Sequence, residues 1–239
     1  MNGTSTKRGF TLVELAIVVA VIAILVAVAV TNLWRLKPRA SLAGAGAELQ
    51  AMLHQARQTA LATGTPVVVL VYPSYTQAVA GLTSKGYLIV YQDACFDFFT
   101  ATPPCGVKFA TYDPGKPASG NSATAQSQVL DSMSLPYSIV VGPTAGMGAG
   151  ATLPAPLNNV PVNSACTFCG TTAGAVQFDA QGRATYYSLS GTTQTGPLAD
   201  TGGGQSLSLG YDQTLAPLAG QRTVVILSGS GAVETIAGG

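Results

Sequence analysis

Four cysteines, one histidine and ten acidic residues are the side chains of this 239-residue chain best suited to chemistry, and their spacing limits what they can do. Cys95 and Cys105 enclose nine residues, while Cys166 and Cys169 form a C-x-x-C. A four-cysteine zinc site needs two such close pairs, and no histidine lies nearby to complete a mixed one. A redox-active C-x-x-C opens a helix after a strand, whereas residues 164–174, SACTFCGTTAG, are small and polar like a loop. Structural disulfides are the leading reading, with Cys95 joined to Cys105 and Cys166 to Cys169 as the simplest of three connectivities. Metal binding, redox work and free thiols stand as alternatives. Closing such short loops restrains the unfolded chain by about 3 kcal/mol at most.

The other candidates are weaker. His54 is the only histidine and reads as a helix residue rather than a ligand. Residues 142–150, GPTAGMGAG, lack the Lys and Ser/Thr of a phosphate loop. No G-x-S-x-G elbow is present. Asp93, Asp97, Asp113, Asp131, Asp179, Asp200 and Asp212 are scattered, without the spacing of a calcium loop. Asp179, ahead of Gln181 and Gly182, reads as a turn residue. The sequence therefore predicts no catalytic constellation, no metal and no cofactor.

One acid stands in a costly place. Residues 7–30 read KRGFTLVELAIVVAVIAILVAVAV, and the 19 residues from 15 to 33 carry no charge. A bilayer core needs about 20 apolar residues at about 1.5 Å each. A cleaved secretory signal is the rival reading, but its apolar region runs to about 15 residues at most. Trp34 and Arg35 read as an interfacial anchor. Lys7 and Arg8 hold the N-terminus inside, while Arg35, Lys37 and Arg39 count against this. The four cysteines and the low-charge remainder decide for an oxidising exterior. Glu14 sits at the head of the run. A carboxylate at the centre of a membrane helix costs about 2.5–3.5 kcal/mol, and less at a helix start, where the dipole favours negative charge. A cut between Gly9 and Phe10 would leave an ammonium four residues before Glu14, able to pair with it in the same chain or a neighbour.

Gly9, Phe10, Thr11, Leu12, Val13 and Glu14, followed by the apolar run, resemble the class III signal of type IV pilins and type II secretion pseudopilins. The resemblance implies cleavage after Gly9 by a prepilin peptidase and methylation of the new amino group on Phe10. It also implies that Glu14 aligns the subunit with the amino terminus of a neighbour in a filament. Three segments follow: residues 1–9 as leader, 10–38 as transmembrane helix and 39–239 as an outer globular domain.

Composition bounds that domain. Only 9% of the chain is charged, 28 residues are glycine, and the net charge is +1. Loss of Lys7 and Arg8 takes the basic count from 11 to 9, against 10 acids. This is not the electrostatic footprint of a dedicated nucleic-acid binder.

The elements come next. Pro38 is expected to kink or pause the helix. Beyond it, Leu42, Leu49, Met52, Leu53, Ala56 and Ala60 form one face of an amphipathic helix, which Gly64 and Pro66 close. Strands are expected at 66–72, 86–92, 107–112, 137–142, 175–179, 184–189, 222–228 and 231–236. The pairs flanking AQGR and GSG read as hairpins. Residues 114–128 and 143–165 read as long loops. The fold class is α+β: a long N-terminal helix, half transmembrane and half amphipathic, packed on an antiparallel sheet domain as in pilins.

QARQTALATGTPVVVL, VQFDAQGRATYYSL and RTVVILSGSGAVE resemble the GspH/FimT group of minor pseudopilins and minor pilins. That likeness implies a structural subunit of a type II secretion pseudopilus or type IV pilus rather than an enzyme. It implies the inner membrane as location, the outer domain in the periplasm or on the filament, and other pilins as partners. The alternative is a FimT-like pilus protein that touches DNA. The tail SGSGAVETIAGG carries no basic residue, and only Arg183 and Arg222 lie near it, so DNA is not an expected partner. Mass spectrometry of the purified protein is expected to find a chain starting at N-methylated Phe10. An intact Met1, or a start after Ala29, contradicts this.

Overall fold

Leu42, Ala45, Leu49, Met52, Leu53, Ala56 and Ala60 recur every three or four residues, and all are buried. This is the stripe the periodicity predicts. It belongs to helix α1 (Leu12–Thr63). The computed structural model describes residues 12–79, 81–100, 107–116, 128–142, 153–155, 157–162, 164–199, 203–213 and 220–238, without the side chains of 28–37, 79, 128, 237 and 238. The chain divides into two compact units, with the boundary between Ala40 and Ser41. The expected pause at Pro38 does not occur, because α1 passes through it. A proline removes one donor, and helical turns on both sides outweigh that loss. Gly64 ends the helix with a φ of +68°, and its N–H donates to the Ala60 carbonyl at 3.0 Å.

The second unit is built from antiparallel strands in two sheets. The first contains β1 (Val67–Val79), β2 (Leu82–Gln92), β3 (Gln128–Ser134), β5 (Ala173–Phe178), β6 (Ala184–Ser190) and β7 (Thr193–Thr195), in the order β3-β2-β1-β5-β6-β7. The second contains β4 (Ile139–Val141), β8 (Gly204–Tyr211), β9 (Gln221–Leu227) and β10 (Val233–Gly238), in the order β10-β9-β8-β4. Both expected hairpins are present, β5 with β6 and β9 with β10.

Several elements differ from expectation. β1 and β2 continue beyond the predicted 66–72 and 86–92, past a register shift between Tyr72 and Thr76. Pro73 lies at that shift, where a residue without an N–H belongs. Residues 107–112 form a 3-10 turn at Phe109–Thr111 instead of a strand. Phe109 and Tyr112 enter the same aromatic cluster, and a turn aims residues three apart in one direction where a strand would oppose them. β3, β7 and β8 were not expected. β8, GQSLSLGY, alternates with period two, but its serines are buried as well as its leucines.

The main core lies between the α1 stripe and the inner faces of both sheets. Val67, Val69, Val71, Leu88, Val90, Val176, Phe178 and Tyr186 come from the first sheet, and Leu207, Leu209, Tyr211, Val224 and Ile226 from the second. The opposite face of the first sheet is covered by Phe98, Val107, Phe109 and Tyr112. The opposite face of the second is covered by Leu153, Leu157, Val160 and Val162, which pack on Val225. Half of the expected loop 143–165 is thus a hydrophobic cover. Leu49→Ala is expected to lower the stability of the second unit by about 2–5 kcal/mol, and Glu48→Ala, one residue away and exposed, by less than about 0.5 kcal/mol. Urea unfolding of residues 41–239 measures both.

Candidate functional site

The N-terminal candidates fall on either side of the described boundary. Gly9 and Phe10 lie outside the described residues. Glu14 lies in the first turn of α1, where the helix dipole favours a carboxylate. The residues after it are apolar on every side: Leu15, Ile17, Val19, Ile22, Ile24 and Leu25 are each more than half exposed. A surface of that kind needs cover. Among the described residues no helix is long and apolar enough to cross a membrane, and the described side chains of the apolar run stop at Ala27.

The described cysteines are oxidised. Cys166 and Cys169 are bonded to each other, with Cα atoms 5.3 Å apart. Cys95 is also in a disulfide, and its expected partner, Cys105, lies outside the described residues. No described cysteine is free, so none offers a thiolate to a metal. Among the described residues no group of three His, Cys, Asp or Glu side chains could hold a metal. His54 is half-buried on α1.

Both candidate arginines are held by the fold. In the β5–β6 turn, one Asp179 carboxylate oxygen accepts from the backbone N–H of Gln181 and of Arg183, each at 2.9 Å. The other accepts from Arg183 Nε and Nη2 at 2.8 Å. Gly182, with a φ of +73°, makes the turn possible. This pair is exposed and contributes about 0–1 kcal/mol, but it occupies the guanidinium. Arg222 lies in β9 between Leu209 and Ala237. Its stem crosses α1 at Gly46, where an added Cβ would lie 3.2 Å from the arginine Cγ. Gly46 weakens the helix locally and leaves the room that this stem fills.

A further group was not anticipated from the sequence. The Asp93 carboxylate is buried and accepts from the backbone N–H of Asp97 at 3.2 Å and Phe98 at 3.1 Å. These bonds shape the turn that inserts Phe98 among Tyr91, Phe109 and Tyr112. Phe99 stacks on Tyr187 with ring centroids 3.6 Å apart. Burial raises the Asp93 carboxyl above its ordinary range, against the lowering effect of its backbone donors. Burial and then the charge of Asp93 push the Tyr187 phenol up. The arrangement is a structural anchor for the aromatic cover.

Residues 4–30 match the family model for the prokaryotic N-terminal methylation motif. No curated protein and no solved structure matches the chain. The chain therefore carries a prepilin-type N-terminus and is pilin-like over that segment, which implies processing by a prepilin peptidase and anchoring through the N-terminus.

The raised Asp93 value carries a pH dependence. The folded protein keeps this proton at pH values where the unfolded chain has lost it, so the ionised carboxylate costs stability at neutral pH. That cost fades as pH falls through the raised value. Relative to Asp93→Asn, the wild type is expected to gain in urea midpoint as pH is lowered from neutral toward the ordinary carboxylate range. A difference that stays constant with pH contradicts this.

Proposed function

We propose that this protein is a structural subunit of a bacterial filament, a minor pseudopilin or minor pilin of the GspH/FimT kind. In this reading it is cut after Gly9, methylated on Phe10 and assembled through α1. The observation that carries it is the methylation motif at residues 4–30, continued by a helix with an acid in its first turn and exposed apolar side chains behind it.

The physical logic has three steps. A helix that is apolar on all faces is buried either in a bilayer or among similar helices. Before assembly the bilayer supplies that cover, with residues 15–33 as the span and the second unit on the outer side. After assembly the helices of neighbouring subunits supply it. In that medium of low dielectric a positive group stabilises a carboxylate, and the amine of Phe10 on an adjacent subunit would supply one for Glu14. Pairing at one depth sets the axial register between subunits. The work is structural, and no step in it calls for catalysis.

The DNA-contacting alternative finds less support. Arg183 is committed to Asp179, and the stem of Arg222 is packed on α1. Binding of residues 39–239 to duplex DNA is expected to be no tighter than about 10⁻⁴–10⁻⁶ M at physiological salt. A salt-sensitive, sub-micromolar fluorescence titration would reverse the order of the two readings.

The direct test of the assembly role is Glu14→Ala. The variant is expected to remain in the membrane fraction, since removing a carboxylate favours insertion, and to lose co-purification with partner pilins. Normal co-purification would overturn the pairing role.

A further inference from the structure

We infer that the Cys166–Cys169 disulfide is a redox-addressable latch, which holds residues 165–167 as a cap on the edge of β8 and releases them when a dithiol reduces it. The inference starts from an incomplete sheet. β9 pairs with β8 from Gly204 to Gly210. On the other side β4 covers only Leu209, Gly210 and Tyr211. Just beyond β4 the N–H of Gly142 donates to the Ser208 carbonyl at 3.0 Å; the Ser208 N–H and both backbone groups of Ser206 would be left as an open edge, which proteins rarely leave unmanaged.

Residues 165–167 fill that gap. Cys166 forms an antiparallel bridge with Leu207. The N–H of Ser208 donates to the Ala165 carbonyl at 2.6 Å, and the N–H of Thr167 donates to the Ser206 carbonyl at 3.0 Å. Thr167 Oγ1 accepts from the Ser206 N–H at 2.8 Å. A segment of three residues has little hold of its own. Phe168, buried against Tyr186, supplies one fastening. The disulfide supplies the other, because Cys169 is seated on the first sheet. A Cβ on Gly174 of β5 would come within 2.7 Å of Cys169 Sγ, and the next residue, Gly170, donates its N–H to Ala173 at 2.9 Å. The disulfide therefore joins the cap on β8 to a residue packed against β5 of the other sheet.

The bridge is also within reach. Both cysteines are only half-buried, and both line an open groove of about 490 Å³ whose walls include Pro73, Lys85 and Val141. A dithiol reductant can act there by ordinary exchange. Its first thiolate attacks one sulfur, forms a mixed disulfide and expels the other cysteine as a thiolate. Its second thiol then resolves the mixed disulfide. Two electrons and two protons pass to Cys166 and Cys169, and the reductant leaves as a disulfide. The cap then keeps only its hydrogen bonds to β8, those of the Thr167 hydroxyl included, and Phe168, and the β8 edge opens.

Hydrogen exchange followed by mass spectrometry tests this on the full chain in detergent. A Cys95→Ser/Cys105→Ser background confines dithiothreitol to the one bridge, and iodoacetamide records its opening. Reduction without denaturant is expected to label Cys166 and Cys169. It is also expected to speed exchange at the amides of Thr167 and Ser208 at least tenfold, while Val69 and Val71 of β1 keep their protection. Cys166→Ala/Cys169→Ala is expected to show the reduced pattern without reductant. Failure to label, equal exchange in the two redox states, or loss of protection reaching β1 would each overturn the latch. In the last case the bridge would be a staple of the whole fold.

Discussion

Leu49, Leu53, Ala56 and Ala60 of α1 have almost no solvent exposure because two sheets close on the same helical stripe. That shared burial organises the second unit. A sheet is apolar on one face and must cover it. Here one stripe of helix serves both sheets, so the sheets need not pack on each other along their whole length. The small residues Ala45, Ala56 and Ala60 let strands approach closely. The same economy of side chain at Gly46 lets the stem of Arg222 cross the helix.

Covering the inner faces leaves the outer faces to be managed. Each sheet solves this with chain that has little regular structure. The first uses an aromatic layer anchored by Asp93, whose carboxylate replaces water for the backbone N–H groups of Asp97 and Phe98. The second uses Leu153, Leu157, Val160 and Val162. Such segments are stable only by what they touch. Covalent bonds at Cys95 and at Cys166 with Cys169 lie beside these irregular stretches, where loss of chain entropy is least repaid by regular hydrogen bonding.

The first and second halves of α1 meet opposite demands. Residues 15–27 are apolar all round and expose that surface, whereas residues 42–60 bury one apolar stripe. Packing against the two sheets explains the second pattern. The first calls for a second apolar environment, and the acid in the first turn stands where the helix dipole favours it. Anchoring through the N-terminus, which the methylation motif implies, supplies that environment.

What the sequence determined by itself was whatever depends on local pattern. The stripe from Leu42 to Ala60, the hairpins around Gly182 and Ser230, the turn role of Asp179 and the N-terminal motif are all written in spacings of a few residues. The C-x-x-C bond belongs with them, since its partners lie three residues apart. The tertiary structure decided the rest. Whether 107–112 became a strand depended on an aromatic cluster that wanted Phe109 and Tyr112 on one side. Whether GQSLSLGY became a central strand depended on β9 and on the segment that caps it, because its buried serines disguise the signal: Ser208 is paired with Thr223 and Ser206 with Pro161. Arg222 stood in the sequence only as a DNA contact under the alternative reading, and its stem is packed on α1, since only the folded chain brings Gly46 beneath it. Local pattern records which face is apolar. What lies against that face is set by contacts between residues far apart in the chain, and no spacing encodes them.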